Sequence, residues 1–237
     1  MSAGTVQNLE HLLARKSELA TRSTGDRQFA ARLRELQHWQ TSRLARTYRD
    51  LKYNPSFAPA IDFFLSDLYG SRPFSSRDAD LERAWGYLKL TWPMTALEAL
   101  DRLIELEVLT TELDHAMTVA LAQDKLEEAS YAAAYRSVGR RDARQRQIDL
   151  VITAVESLEH TVRYPFIGPL LWGARGPAYA AGFGVLQNFF ERGYDAFRKL
   201  GDPQAFLKII RERETALMDA LFSGRSNIYA MVETFPA

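Results

Sequence analysis

Apolar residues recur every three or four positions along most of the chain, and no segment shows the sustained apolar–polar alternation of a β-strand. This spacing predicts amphipathic helices over residues 5–20, 26–52, 57–69, 77–91, 97–108, 111–124, 126–138, 140–163, 178–200 and 203–224. Their connections are short, and no repeat of fixed period is visible. We therefore expect an all-α fold, a compact multi-helix bundle or an orthogonal helical array, rather than a solenoid.

The predicted helices divide the chain into three unequal parts. Residues 1–26 are expected to form a short N-terminal helix and a polar loop, residues 27–224 a single all-helical domain, and residues 225–237 a weakly patterned tail. The chain has 237 residues, of which 46% are hydrophobic. That length and composition are sufficient for a domain with a sizeable hydrophobic core.

The densest aromatic patch of the sequence, FAPAIDFFLSDLY, spans Phe57–Tyr69. Its apolar residues recur at helical spacing, and Pro59 falls in the first turn, where a missing N–H has little effect. A helix of about three turns is too short to be stable alone in water. We therefore expect this stretch to depend on packing against the rest of the chain.

Part of the aromatic patch belongs to a set of residues that resembles a known family. The set comprises Phe63–Tyr69, Gly70, Arg77–Asp78 and Leu186–Gln187. It resembles a family of uncharacterised bacterial helical proteins named for an FFLEE motif, over about residues 27–221. Ser66 and Asp67 stand where that family has two glutamates, which argues against a strict two-glutamate metal site here. The resemblance implies no activity, cofactor or site residue.

An apolar segment rich in proline and glycine, YPFIGPLLWGARGPAYAAGFG, covers residues 164–184. Such helix breakers predict an irregular connection rather than a long helix. We interpret the segment as a cap over the bundle and as the mouth of an apolar ligand pocket. Arg175 is then the expected partner of a ligand carboxylate or phosphate, and Trp172, Tyr164 and Phe190 are the expected aromatic contacts.

Two Glu-x-x-His spacings, Glu35/His38 and Glu112/His115, match the ligand pairs of di-iron helical bundles. On their predicted helices all four side chains point away from the apolar stripe and toward solvent. Since ligands of a bundle metal site must point inward, we predict no metal site and no cofactor. A carboxylate-bridged di-iron or di-manganese bundle is kept as the alternative function.

Three acidic residues, Asp67, Glu107 and Glu159, fall on or beside apolar helix faces. A buried carboxylate needs a partner or takes up a proton at a raised pKa. One interpretation pairs each acid with an arginine at a helix junction, such as Arg77 or Arg163. The other brings the three acids together as a metal site or an acid–base pair.

Charge is balanced overall but unevenly distributed along the chain. Lys and Arg number 30, as do Asp and Glu, which argues against a general nucleic-acid binder. Residues 97–128 are acidic and residues 27–52 are basic, while five arginines crowd into a short segment: Arg136, Arg140, Arg141, Arg144 and Arg146. We expect basic and acidic helices to face each other within one chain or across a homodimer. An anionic small ligand is the second interpretation of the arginine cluster, and nucleic acid the third.

Several chemical classes have no support in the sequence. The chain has no cysteine, which excludes disulfides, thiolate metal sites and cysteine nucleophiles, and no hydrolase triad motif is recognisable. It has no signal-peptide pattern and no apolar run of about 18 residues, so we expect a soluble cytoplasmic protein without a membrane span. The function that fits best is a non-catalytic scaffold that binds a protein partner or a small apolar or anionic ligand, while catalysis is left open.

Overall fold

The computed structural model describes residues 2–68, 74–121 and 125–235. Within these ranges the chain forms helices and no strand, which confirms the all-α fold class. The helices are α1 (Ser2–Gly25), α2 (Arg27–Thr47), α3 (Ala58–Phe63), α4 (Phe74–Thr91), α5 (Met94–Leu121), α6 (Glu128–Val138), α7 (Arg141–Val162), α8 (Ile167–Ala180), α9 (Gly184–Arg198), α10 (Pro203–Phe222) and α11 (Ile228–Val232). A 3-10 turn, Leu51–Tyr53, precedes α3, and a π-helical turn, Phe64–Leu68, follows it. None of the helices described in these ranges combines the length and apolar character needed to cross a bilayer.

Helix α5 lies at the centre and packs against α1, α2, α6 and α7. Its buried positions cover most of the helix circumference, and a stripe that includes Glu98, Arg102 and Val119 faces solvent. The prediction of two separate helices, over residues 97–108 and 111–124, is wrong, because α5 continues without interruption through Thr111. The Thr111 hydroxyl donates to the Glu107 carbonyl oxygen at 2.8 Å, a bond typical of threonine inside a helix rather than at its cap. The predicted end of the second helix at residue 124 lies outside the described residues.

Both ends of the chain pack against the central helices. Four leucines of α1 join the core formed by α4 and α5: Leu9, Leu12, Leu13 and Leu19. Helix α1 continues to Gly25, beyond the predicted end at residue 20, and the Ser23 hydroxyl donates to the Leu19 carbonyl oxygen within it. At the other end, Ile228 and Val232 of α11 are buried against α2 and α10.

The aromatic patch is packed as its sequence predicts, between α3 and the C-terminal helices. Phe63 and Phe64 both contact the ring of Phe197 on α9, and Phe57 contacts Phe206 on α10. Helix α9 approaches closely because Gly193 has no side chain, since a Cβ there would lie 3.1 Å from the Phe63 ring. The last residue of the patch, Tyr69, lies outside the described residues.

The prediction of an irregular connection over residues 164–184 is wrong, because Ile167–Ala180 forms the regular helix α8. Pro169 is the third residue of α8, where no N–H is needed for an intrahelical bond. Pro177 lies in the last turn and therefore removes a single hydrogen bond, near the point where the helix ends. Gly182, at φ +80°, then reverses the chain into α9.

Replacing Phe197, which is 1% exposed, with alanine is expected to lower the free energy of unfolding by about 3–5 kcal/mol, because the change leaves a cavity among packed rings. Urea denaturation followed by circular dichroism measures the loss. The matched control is Phe166→Ala, at a position 77% exposed, which is expected to change stability by less than about 0.5 kcal/mol. Equal effects of the two substitutions would contradict this packing.

Candidate functional site

A cavity of about 120 Å³ lies between α2, α5, α6, α7 and α10, and we call it the central cavity. It is similar in size to the roughly 150 Å³ cavity that holds a benzene molecule. Most of its lining is apolar, but four charged side chains of the described residues reach it: Arg43, Asp114, Arg144 and Glu214. Apolar walls with a few polar groups are typical of small-molecule sites.

Two of the four charges form a closed pair. Arg43 Nη1 donates to both carboxylate oxygens of Glu214, at 2.7 and 3.0 Å, and the Tyr48 hydroxyl donates to Glu214 Oε1 at 2.8 Å. Burial works against the Arg43 charge, but the Glu214 carboxylate beside it keeps the pKa of Arg43 above its ordinary value. Burial together with the Glu214 charge raises the pKa of the Tyr48 hydroxyl. This pair is satisfied by protein groups alone.

Arg144 is the third charge, and its guanidinium is only partly satisfied. The side chain is 5% exposed, lies over the Tyr135 ring at 4.4 Å, and donates from Nη1 to Gln147 Oε1 at 3.3 Å. Its Nε and Nη2 are buried and have no hydrogen-bond partner among the described residues. A buried donor without a partner loses its hydration without compensation, so this arrangement requires an explanation.

The two unpaired nitrogens of Arg144 form one edge of the guanidinium, and this edge binds carboxylates and phosphates through two parallel hydrogen bonds. Elsewhere in the same chain, Arg175 uses its Nε and Nη2 in this way to hold the Glu191 carboxylate, at 2.9 and 2.5 Å. We call the corresponding atoms of Arg144 the free edge. The two parallel donors and the positive charge of the free edge are complementary to an anionic group.

Asp114 is the fourth charge and lies on α5, 3% exposed. Its Oδ1 accepts a hydrogen bond from Gln40 Nε2 at 3.1 Å. Burial raises the pKa of Asp114 to about 6, although the Gln40 hydrogen bond and the positive charge of Arg144 oppose the rise. The central cavity therefore contains a carboxyl group that titrates near neutral pH.

A second cavity lies beneath α8. Three of the four ligand-binding residues predicted from the sequence line neither this cavity nor the central cavity. Arg175 is paired with Glu191, and the rings of Tyr164 and Trp172 are 44% and 56% exposed. Phe190 packs against Trp92, with the two rings tilted at 57°, and lines the second cavity, an apolar space of about 70 Å³. A ligand site made of all four residues stays a prediction.

The three acids predicted to be buried each meet a basic side chain, in three separate places. Asp67 pairs with Arg192, Glu107 with Lys16, and Glu159 with Arg163. The side chain of Arg77, proposed as a partner, lies outside the described residues. No group of three or more His, Asp or Glu side chains within the described ranges is arranged to hold a metal ion.

The two Glu-x-x-His pairs differ in their orientation. Glu35 and His38 are exposed on α2, as predicted. His115 is 4% exposed, so its predicted position in solvent is wrong. Its Nε2 is hydrogen-bonded to the Ser23 hydroxyl at 2.8 Å, and burial, together with the charge of Arg22, lowers its pKa. Helix α1 covers this face of α5, which the apolar stripe of α5 alone did not indicate.

The acidic side chains of α5 meet basic groups within the chain, on α1 and α7. Glu112 pairs with Arg15, Glu107 with Lys16, and Glu105 with Arg146. Among the clustered arginines, Arg146 therefore faces an acid, whereas Arg144 points into the central cavity. One feature of the sequence could have identified Arg144 as the inward-pointing arginine. It lies four residues before Ile148, on the apolar stripe of α7.

Comparison with known proteins identifies the family of the chain but no activity. A family model described as "Domain of unknown function (DUF8198)" matches residues 19–228. A search of curated proteins and a search of solved structures each gave no match. The match agrees with an uncharacterised family, and the specific resemblance to FFLEE-motif proteins stays a prediction.

Replacing Glu214 with glutamine is expected to lower the free energy of unfolding by about 3 kcal/mol, because it leaves the buried Arg43 without a counter-charge. Urea denaturation at pH 7 measures the change. The matched control on the same helix is Glu212→Gln, whose side chain is 64% exposed beside Lys208 and is expected to contribute less than about 0.5 kcal/mol. A loss below about 1 kcal/mol for Glu214→Gln would count against a buried pair.

The stability of the protein is expected to depend on Asp114 between about pH 4 and pH 6. The pKa of Asp114 is about 6 in the fold against an ordinary value of 3.8, so in this window the folded state binds more protons than the unfolded state. The free energy of unfolding therefore falls as pH rises through the window. Relative to Asp114→Asn, which does not titrate, the wild type is expected to lose about 2–3 kcal/mol by pH 7. Urea denaturation of both proteins from about pH 4 to pH 7 checks this, and a constant difference between them contradicts it.

Proposed function

The chain belongs to the family described as a domain of unknown function, DUF8198, and from its own residues we propose that it is a non-catalytic small-molecule-binding protein. The ligand places an anionic group, a carboxylate or a phosphate, against Arg144 in the central cavity. The observation that carries this proposal is the free edge of Arg144, two buried donors without a protein partner.

The energetics of a buried arginine support this proposal. Removing a guanidinium from water is expensive unless its charge and its donors are compensated. A hydrophobic residue of similar volume would be neutral or stabilising at such a position. An arginine retained there is therefore a candidate for function, because functional sites are where proteins depart from the most stable choice.

The surroundings of Arg144 are also suitable for a ligand. Tyr135 supports one face of its guanidinium, and Gln147 holds Nη1, so the free edge has a defined direction. Gln147 is itself held in place, because its Nε2 donates to the Thr110 hydroxyl at 2.8 Å. A donor pair fixed in this way can bind an anion without a large loss of side-chain entropy.

This proposal keeps the binding function predicted from the sequence but assigns it to another place. At the predicted site, the Arg175 donors on the Nε–Nη2 edge already hold Glu191. At Arg144 the same edge is free. The two arginines therefore make a matched pair for testing the location of the site.

Isothermal titration calorimetry with benzoate, phenylacetate and phenyl phosphate tests the proposal, with benzyl alcohol as the uncharged probe. We expect at least one anion to bind the wild type and to bind Arg144→Lys about tenfold more weakly or worse, because lysine cannot offer two parallel donors. Arg175→Lys is expected to bind within about twofold of the wild type. Absence of binding by all three anions, or an equal loss in Arg175→Lys, overturns the proposal.

A stability measurement on the same site separates binding from a structural role. Arg144→Met removes the buried charge and keeps an unbranched side chain over Tyr135, so it is expected to leave the free energy of unfolding unchanged or raise it by about 1–2 kcal/mol. It is also expected to abolish anion binding. A large loss of stability would show that Arg144 is needed for folding instead.

A further inference from the structure

The charges of the central cavity do not balance when Asp114 carries a proton. Among the described residues, the charged side chains that line the cavity are Arg43, Arg144, Glu214 and Asp114. Arg43 and Glu214 cancel each other in a close pair. Arg144 then keeps one uncompensated positive charge, which a single negative charge from a ligand would neutralise.

When Asp114 loses its proton, the cavity becomes neutral without any ligand. Asp114 is close enough to Arg144 for the arginine charge to favour its ionised form. However, its Oδ1 is engaged by Gln40, and the free edge of Arg144 has no hydrogen bond to any described residue. Asp114 therefore supplies a countercharge without occupying the donors at which a ligand anion would bind.

We infer that the ligand of the central cavity is a compact monocarboxylate and that Asp114 is protonated whenever this ligand is bound. The inference rests on the proposed function. Above the pH at which Asp114 ionises in the empty protein, each ligand that binds is accompanied by one proton, taken from solvent onto an Asp114 carboxylate oxygen. The negative charge of the bound ligand thus replaces the negative charge that ionised Asp114 carries in the empty protein.

The chemical class of the ligand follows from the number of charges and hydrogen-bond donors that the central cavity offers. One guanidinium edge offers two parallel donors, which match the two oxygens of a carboxylate. A phosphate monoester carries close to two negative charges at neutral pH, one more than the cavity can neutralise. The remaining lining is largely apolar, with Leu44, Phe64 and Val151 among it, and favours a branched or aromatic body.

Other titratable groups that line the central cavity leave this exchange intact. Around Asp114 the lining includes Gln40 and the paired Arg43 from α2, Tyr131 and Tyr135 from α6, and Glu214 from α10. Burial raises the pKa of Tyr135, so that hydroxyl stays neutral. On α5 itself, Glu112 is paired with Arg15 and His115 is bonded to Ser23. Asp114 is thus the group whose proton can follow the ligand.

Benzoate binding across pH, at constant ionic strength, tests the inference on the folded full-length protein. From about pH 7 to pH 8.5 we expect the wild-type Kd to rise about tenfold per pH unit, the slope for one coupled proton. Calorimetry at about pH 7.5 in two buffers of different protonation enthalpy is expected to give an uptake of about one proton per benzoate. Asp114→Asn is expected to bind benzoate with a Kd independent of pH and without proton uptake. Asp149→Asn, at a partly exposed acid paired with Arg211, is the matched control and is expected to behave as wild type.

Each outcome of this experiment has a distinct meaning. Benzoate binding that needs Arg144 but is equally tight from about pH 6 to pH 8.5 overturns the proton exchange and leaves the proposed function standing. Tighter binding of phenyl phosphate than of benzoate at about pH 7.5 overturns the monocarboxylate class. Absence of any anion binding at all pH values overturns the proposed function as well.

Discussion

The burial of most of α5 is the constraint on which the rest of the structure depends. Polar groups on the buried part of this helix lose contact with water, so they need partners inside the protein. Asp101 accepts from Asn8, His115 bonds Ser23, and Asp114 accepts from Gln40. These bonds connect α1 and α2 to the centre, and the bond from Gln40 holds Asp114 at the wall of the candidate site.

The turn between α6 and α7 determines which arginine enters the central cavity. Gly139 and Arg140 both have positive φ, 64° and 54°, so the chain reverses within two residues before α7 begins. Arg141 and Arg146 then meet Asp219 and Glu105 at the surface. Arg144, on the inner face of the same helix, has no acid on its free edge. A cluster of arginines thus divides into structural ion pairs and one candidate for ligand binding.

The fold class was predictable because helical spacing is a local property of the sequence. Asp26 is a clear case, since its side chain accepts from the backbone N–H groups of Gln28 and Phe29 as a helix cap should. The failed predictions have different causes, namely where a helix ends in one case and a contact between helices in another. Helix α8 tolerates Pro177 because it is near the helix end, and His115 is buried because α1 covers it. Neither fact is contained in the periodicity of one segment.

The sequence alone determined that the chain is helical, that its charges are balanced in number, and that five arginines cluster within residues 136–146, because these depend only on which residues follow one another. The tertiary structure decided which of those charges are compensated. Glu191 lies opposite the guanidinium of Arg175, whereas the guanidinium of Arg144 borders a cavity. That distinction depends on how α7, α8 and α9 are placed by packing, and packing is set by contacts between residues far apart in the chain.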